Sequence, residues 1–244
     1  MGQLIYLTVT RLDITYTVHV LSQFMQCPTQ AHYTTALRVL RYLKHAPGQG
    51  ILLSSQSDAC LTAYCDSDWG KCSDSRKSVT GFCILLGASP VSWRSKKQSV
   101  VARSTAEVEY RAIATTTCEI MWLLSLFRDL GLSHLAPAVL KCDNQAALYI
   151  AANPVFHERT KHIEVDCHFI RKKMQAGLIC PSYVPTKAQL ADIFTKVVYV
   201  VQHSFLLSKL GFFNLFSPPN LRGSVEQTPA IQATHATEEE KQLD

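Results

Sequence analysis

The residues of this chain best suited to chemistry are carboxylates placed where elements of structure end. Asp66 and Asp68 stand close together in AYCDSDWGKCSDSRKSVTG, directly after the apolar run 61–65. Asp143 closes AVLKCD, Asp192 lies in QLADIF, and Glu107 and Glu109 share STAEVEYRAIA. Carboxylates beside buried strands are costly unless cations or hydrogen bonds compensate them. Several converging from separate elements suit Mg²⁺ or Mn²⁺, hard cations that take oxygen ligands and keep some waters. Two such ions side by side can activate a water and stabilise the leaving oxygen of an in-line phosphoryl displacement. The plainer alternative is that each acid is a solvated strand-end or helix-cap residue.

Helix geometry separates Glu107 from Glu109. At about 100° per residue, Ile113, Thr116, Ile120, Leu123, Leu124 and Phe127 fall within roughly 60° of Glu109. That apolar face must look at a sheet, so Glu109 points inward at the start of the stripe. Glu107 is expected to face largely outward. For the aspartate pair, the strand is expected to end at Asp66, leaving Asp68 as a turn residue.

The elements that must position these acids are legible in outline. Residues 10–26 and a second helix in CPTQAHYTTALRVLRYLKHAPGQG read as a helical hairpin, the second with Thr29 as cap and Pro47-Gly48 as stop. CLTAYCD, SVTGFCILLG and SPVSWRSKKQSVVA read as three strands of a meander. A long helix follows from Ser104 or Thr105 to Gly131, then a strand in AVLKCDN and a short helix ended by Pro154. HIEVDCHFIRKKMQAG reads as a helix, LICPSYVP as a strand and KAQLADIFTKV as a last helix. The order predicts an α/β fold with a mixed five-stranded sheet, flanking helices and a small helical segment in front.

Composition sets outer bounds. The chain has 244 residues, 47% hydrophobic and 18% charged, which fits a globular protein with a sizeable core. Its net charge of +5 includes an acidic end, where Glu226, Glu238, Glu239, Glu240 and Asp244 face only Lys241, so the body is more basic still. A basic body suits a polyanionic partner. Nine cysteines without a C-x-x-C pair point to a reducing, intracellular setting, cytoplasmic or nuclear. No secretory leader and no long apolar span are evident, so no membrane partner is expected.

Several blocks together resemble a known family. YCDSDWGKCSDSRKSVTGFCILLG, SWRSKKQSVVARSTAEVEYRAIA, KCDNQAALYIAANPVFHERTKHIEVDCHFIR and YVPTKAQLADIFTK are similar, in order, to the ribonuclease H domain of copia-type LTR-retrotransposon Pol polyproteins. LIYLTVTRLDITYTVHVLSQFMQCPTQAHYTTALRVLRYLK resembles the end of the reverse transcriptase just upstream. The resemblance implies a ribonuclease H-like fold and hydrolysis of the RNA strand of RNA–DNA hybrids with two Mg²⁺ or Mn²⁺ ions. It carries a catalytic, metal-binding set onto Asp66, Glu109, Asp143 and Asp192. Asp166 is a rival fourth acid by helix phase, and the QLAD block favours Asp192. The implied organisation is 1–57 as a reverse-transcriptase remnant, 58–198 as the ribonuclease H-like domain and 199–244 as an extension, disordered from about 221.

Some departures stand beside the match. The polymerase's paired aspartates are absent, so reverse transcriptase activity is not expected, and the missing polymerase portion becomes a possible partner. No histidine precedes the last helix, and TKVV replaces the usual Thr-Lys-Pro-Leu. A truncated, catalytically silent nucleic-acid-binding remnant is therefore the alternative function. Arg94, Lys96 and Lys97 in WRSKKQ are candidate phosphate contacts or a solvated edge strand. Asn144 and Gln145 are candidates for 2′-hydroxyl contact, with helix capping as the other role for Asn144. His157, His162, Cys167 and His168 cluster without zinc-ligand spacing.

Overall fold

The computed structural model describes residues 1–55, 58–132, 134–153 and 164–216. The chain opens with α1 (Gly2–Leu7), a 3-10 turn at Leu12–Ile14, α2 (Thr15–Ser22) and α3 (Gln30–His45). Only α2 and α3 are expected from periodicity; α1 has six residues and no side-chain cap to announce it. Thr29 caps α3, with His32 in the position where a capping box commonly has Glu or Gln. Leu4, Ile14, Val18, Leu21 and Val39 close a small core between these helices.

The main sheet contains β2 (Leu61–Asp68), β3 (Val79–Leu86), β4 (Ser89–Lys97), β5 (Ala138–Cys142) and β6 (Ile179–Tyr183). Its order is β4-β3-β2-β5-β6. The first three strands form the antiparallel meander, and β5 and β6 join β2 in parallel. This is the expected ribonuclease H-like mixed sheet with flanking helices. The long helix α4 (Thr105–Asp129) starts where the Ser104 hydroxyl accepts the Glu107 N–H, and Gly131, at φ +88°, stands just past its end.

Each face of the sheet has its own cover. Helices α4, α5 (Gln145–Ala152) and α6 (Glu164–Gln175) bury Ala63, Cys65, Phe82, Ile84, Leu140 and Cys142 on one side. Cys83, Leu85 and, in part, Tyr64 and Trp93 pack on the other side against Leu190, Ile193 and Phe194 and the inner residues of α7 (Val200–Lys209). Leu12, from the N-terminal helices, joins this second cluster. A two-stranded sheet of β1 (Gln49–Ile51) and β7 (Phe212–Asn214) ties the end of the helical segment to the chain beyond α7. Strands of three residues leave no periodic trace in the sequence.

The N-terminal helices dock against the open edge of the sheet. Trp93 Nε1 donates to the Thr8 carbonyl at 2.9 Å, and the Lys97 N–H donates to His19 Nε2 at 3.0 Å. Burial and the cations Lys97, Arg94 and Lys96 lower the His19 pKa, which favours the neutral ring needed to accept that bond. Among the described residues no helix is long and apolar enough to cross a membrane.

Candidate active site

Strand β2 alternates between the two faces. Ala63 and Cys65 meet the α4 side, while Asp66 turns toward the Leu190–Phe194 segment and is only 2% exposed. Its neighbour across the ladder is Gly81. A Cβ at Gly81 would lie 2.7 Å from both Phe194 Cβ and Thr195 Cγ2, so only glycine leaves room for that segment to approach. The approach lets the Thr195 hydroxyl donate to Asp66 Oδ2. Gln189, fully buried, fixes the segment: its Nε2 donates to the Cys65 carbonyl at 2.9 Å and its Oε1 accepts the Ala191 N–H at 3.2 Å.

Residues 190–194 form a 3-10 turn, not the start of the expected α-helix; the last helix is α7, beginning at Val200. All five residues of the turn are buried, so packing against the sheet and the Gln189 anchor set its shape. Asp192, 2% exposed, is thereby carried to Asp66. Lys196 joins the pair, with its Nζ 2.8 Å from Asp192 Oδ1 and 3.5 Å from Asp66 Oδ2. Gln202 of α7 reaches Asp192 Oδ2 at 3.4 Å.

Asp143 and Glu109 arrive from the other two elements. Tyr64 pairs with Lys141 in the parallel ladder, so Asp66 and Asp143 lie equally far along adjacent strands, at their carboxyl ends. Asp143 is half-buried, and its Oδ2 accepts the Thr186 hydroxyl at 2.9 Å. Glu109, 6% exposed, reaches over from α4; its Oε1 accepts the Ser67 N–H at 3.2 Å. One ligand atom each from Glu109, Cys142 and Asp143 falls within a 4.8 Å span.

The electrostatics record the same crowding. Burial, then Asp66, pushes Asp192 up to about 6, against the pull of Lys196. Asp66 is raised by burial, with Lys196 and Thr195 opposing and Asp143 adding to the rise. Glu109 is raised well above the usual carboxylate range by burial, then by Asp66, Cys142 and Asp143. Lys196 is raised because the gain from Asp66, Asp192 and Asp143 exceeds the cost of its burial. Among the described residues, three buried acids are thus held near a fourth with one ammonium between them, an arrangement that favours added cations.

Some expectations change. Strand β2 runs through Asp68, so strand ending does not separate the two aspartates. Burial does: Asp68 is partly exposed and pairs with Lys71 at 3.0 Å. Glu107 is 4% exposed and does not face outward, because it accepts the Arg103 N–H at 2.8 Å and pairs with Arg111 at 3.1 Å. Asp166 lies away from the four acids, in a groove of about 480 Å³ shared with Arg111, Cys118, Arg94 and Lys96. Asn144 caps α5 by accepting the Ala147 N–H at 3.0 Å, and Gln145 is exposed in the first turn of that helix. Arg94 and Lys96 are exposed on β4. Lys97 joins the same groove. His157 and His162 lie outside the described residues. Thr195 and Lys196 were not picked out by sequence; their place in FTK, just after QLAD, is the one local signal.

The strand order and flanking helices are those of a ribonuclease H-like α/β fold. The chain's relatives are retrovirus-related Pol polyproteins of transposons, which it matches over a part of their length. It is 45% identical over 210 residues to the Pol polyprotein from transposon RE1 of Arabidopsis thaliana, a match spanning 86% of this chain and 14% of that protein. It is 44% identical over 222 residues to the one from transposon RE2 of the same plant, spanning 91% of this chain and 15% of that protein. The chain therefore spans about one-seventh of the length of these relatives. No family model matches it. Among solved structures, the N-terminal RNase H domain of a Mycobacterium tuberculosis protein, as a fusion with maltose-binding protein, aligns with a TM-score of 0.42 at 10% identity, covering 62% of this chain and 98% of that chain.

Proposed function

We propose that this chain is the ribonuclease H of a copia-type Pol polyprotein and hydrolyses the RNA strand of RNA–DNA hybrids with the help of divalent cations. The observation that carries the reading is the meeting of Asp66, Glu109, Asp143 and Asp192 from four separate elements at one end of the sheet, mutually repelling and short of positive charge. That donor set fits Mg²⁺ or Mn²⁺: carboxylate oxygens dominate, and Asp143 remains partly open to solvent. Asp66 and Asp143 would be the central ligands, with Glu109 holding one ion and Asp192 completing the site of the other. Bound Mg²⁺ would supply charge neutralisation at the scissile phosphate and an activated water.

The chain's own residues do the positioning. Thr195 and Lys196 hold Asp66 and Asp192 together, and the Ser67 N–H orients Glu109. Thr186 fixes the half-buried Asp143. Arg94 and Lys96 lie in the same cross-strand rows as Cys65 and Ser67 of β2, two strands away, hence about 10 Å across the sheet. In this reading they would contact phosphates of a bound hybrid. Asn144 would offer its NH₂ group to the substrate while its Oδ1 caps α5. No reverse transcriptase activity is proposed for this segment.

The test is incubation of labelled RNA–DNA hybrid with the protein and Mg²⁺. RNA-strand cleavage that is lost in an Asp66→Asn/Asp143→Asn variant supports the reading. Salt-sensitive hybrid binding without Mg²⁺-dependent cleavage would select a silent nucleic-acid-binding remnant instead.

A further inference from the structure

Glu109 ends on a thiol. Its Oε2 has Cys142 Sγ, at 3.9 Å, as its hydrogen-bond partner among the described residues. That sulfur belongs to a fully buried residue and also accepts the Asn144 N–H at 3.4 Å. Asp143 follows directly, and ligand atoms of the three residues lie within 4.8 Å of one another. A cysteine at the end of β5 could be a small core residue only. What sets this one apart is that its sulfur faces a buried carboxylate oxygen with no stronger partner among the described residues.

Sulfur adds little for Mg²⁺, which prefers oxygen, but much for softer ions. Zn²⁺ takes sulfur at about 2.3 Å and carboxylate oxygen at about 2.0–2.2 Å, so its sulfur and oxygen ligands stand between about 3 and 4 Å apart. The Sγ to Oε2 spacing already falls in that interval. We infer that Glu109, Cys142 and Asp143 form a binding site for a thiophilic divalent cation such as Zn²⁺ or Cd²⁺. On binding, the Cys142 S–H bond breaks, its proton passes to solvent and a sulfur–metal bond forms. The site overlaps the one proposed for Mg²⁺ and rests on reading Glu109 and Asp143 as cation ligands. A thiophilic ion would therefore occupy it in place of the catalytic cation.

The probe is Cd²⁺, followed by its ultraviolet thiolate-to-metal charge-transfer band. The full chain would carry Ser at Cys27, Cys60, Cys72, Cys118 and Cys180, which are exposed or partly so. One saturable band is expected, abolished by Cys142→Ser. Asp143→Asn, which leaves the thiol and the buried face intact, should keep the band and weaken Cd²⁺ binding by about tenfold or more. No band, a band that survives Cys142→Ser, or unchanged affinity in Asp143→Asn would each overturn the inference. Cleavage of hybrid with Mg²⁺ but no Cd²⁺ band would sink this site alone. A Cys142-dependent band with no cleavage would uphold the site and sink the nuclease reading instead.

Discussion

Two clusters of buried acid in this chain follow opposite rules. In the N-terminal helices, Asp13 is gripped by Arg11, with guanidinium nitrogens at 2.7 and 3.0 Å, and Tyr42 Oη donates to it at 2.6 Å. The guanidinium also donates to the Ala46 carbonyl at 3.0 Å. Charge and hydrogen bonds are matched there, and the cluster fastens α3 to the turn before α2. At the end of the main sheet, Asp66, Glu109 and Asp192 are buried beside Asp143 with a single lysine among the described residues, and their pKa values are pushed up. A satisfied buried acid holds a fold together, whereas an under-neutralised group of acids stores unfavourable charge that a cation can relieve.

The contrast can be broken from either side. The largest effect should come from Asp66→Asn, which is expected to lower hybrid cleavage by about a thousandfold or more while leaving the fold intact, as single-turnover assays and circular dichroism would show. Asp13→Ala should do the reverse. It leaves Arg11 buried without its counter-charge and is expected to cost about 3–5 kcal/mol in urea denaturation.

Asp192 sharpens the contrast through pH. Its folded pKa of about 6 lies above the ordinary value of 3.8, so the fold favours the protonated form. Stability from this group is full below about 4 and is lost as pH rises through 6. In Mg²⁺-free buffer, Asp192→Asn should stabilise the protein by about 1–2 kcal/mol at pH 8, after allowance for solvent screening, and change little at pH 4. Destabilisation at pH 8 would show that the Lys196 pairing outweighs the crowding. The smallest effect belongs to the edge strand: Lys96→Ala should reduce the salt dependence of hybrid binding by about one unit of log–log slope.

The sequence made the acids visible and concealed what governs them. Glu109 could be chosen from helical phase because α4 is long and its stripe regular. Asp66, Asp143 and Asp192 stood out by position and by resemblance. Glu107 was misplaced because phase alone ignores local pairing, here with Arg111 and the Arg103 N–H. The sequence around Leu190–Phe194 reads as α-helix, whereas the turn's shape depends on Gln189 reaching a strand carbonyl far away in sequence. Lys196, Thr195 and the thiol of Cys142 acquire their roles only once that turn and α4 close on opposite faces of β2. No periodicity in the chain carries that information.

The most direct test of the account is cleavage of a labelled RNA–DNA hybrid as Mg²⁺ is titrated, with the wild-type chain beside Asp66→Asn/Asp143→Asn. The account predicts Mg²⁺-dependent cutting confined to the RNA strand by the wild type and none by the variant. Equal cutting by both, or none by either in a folded protein that binds the hybrid, would contradict it.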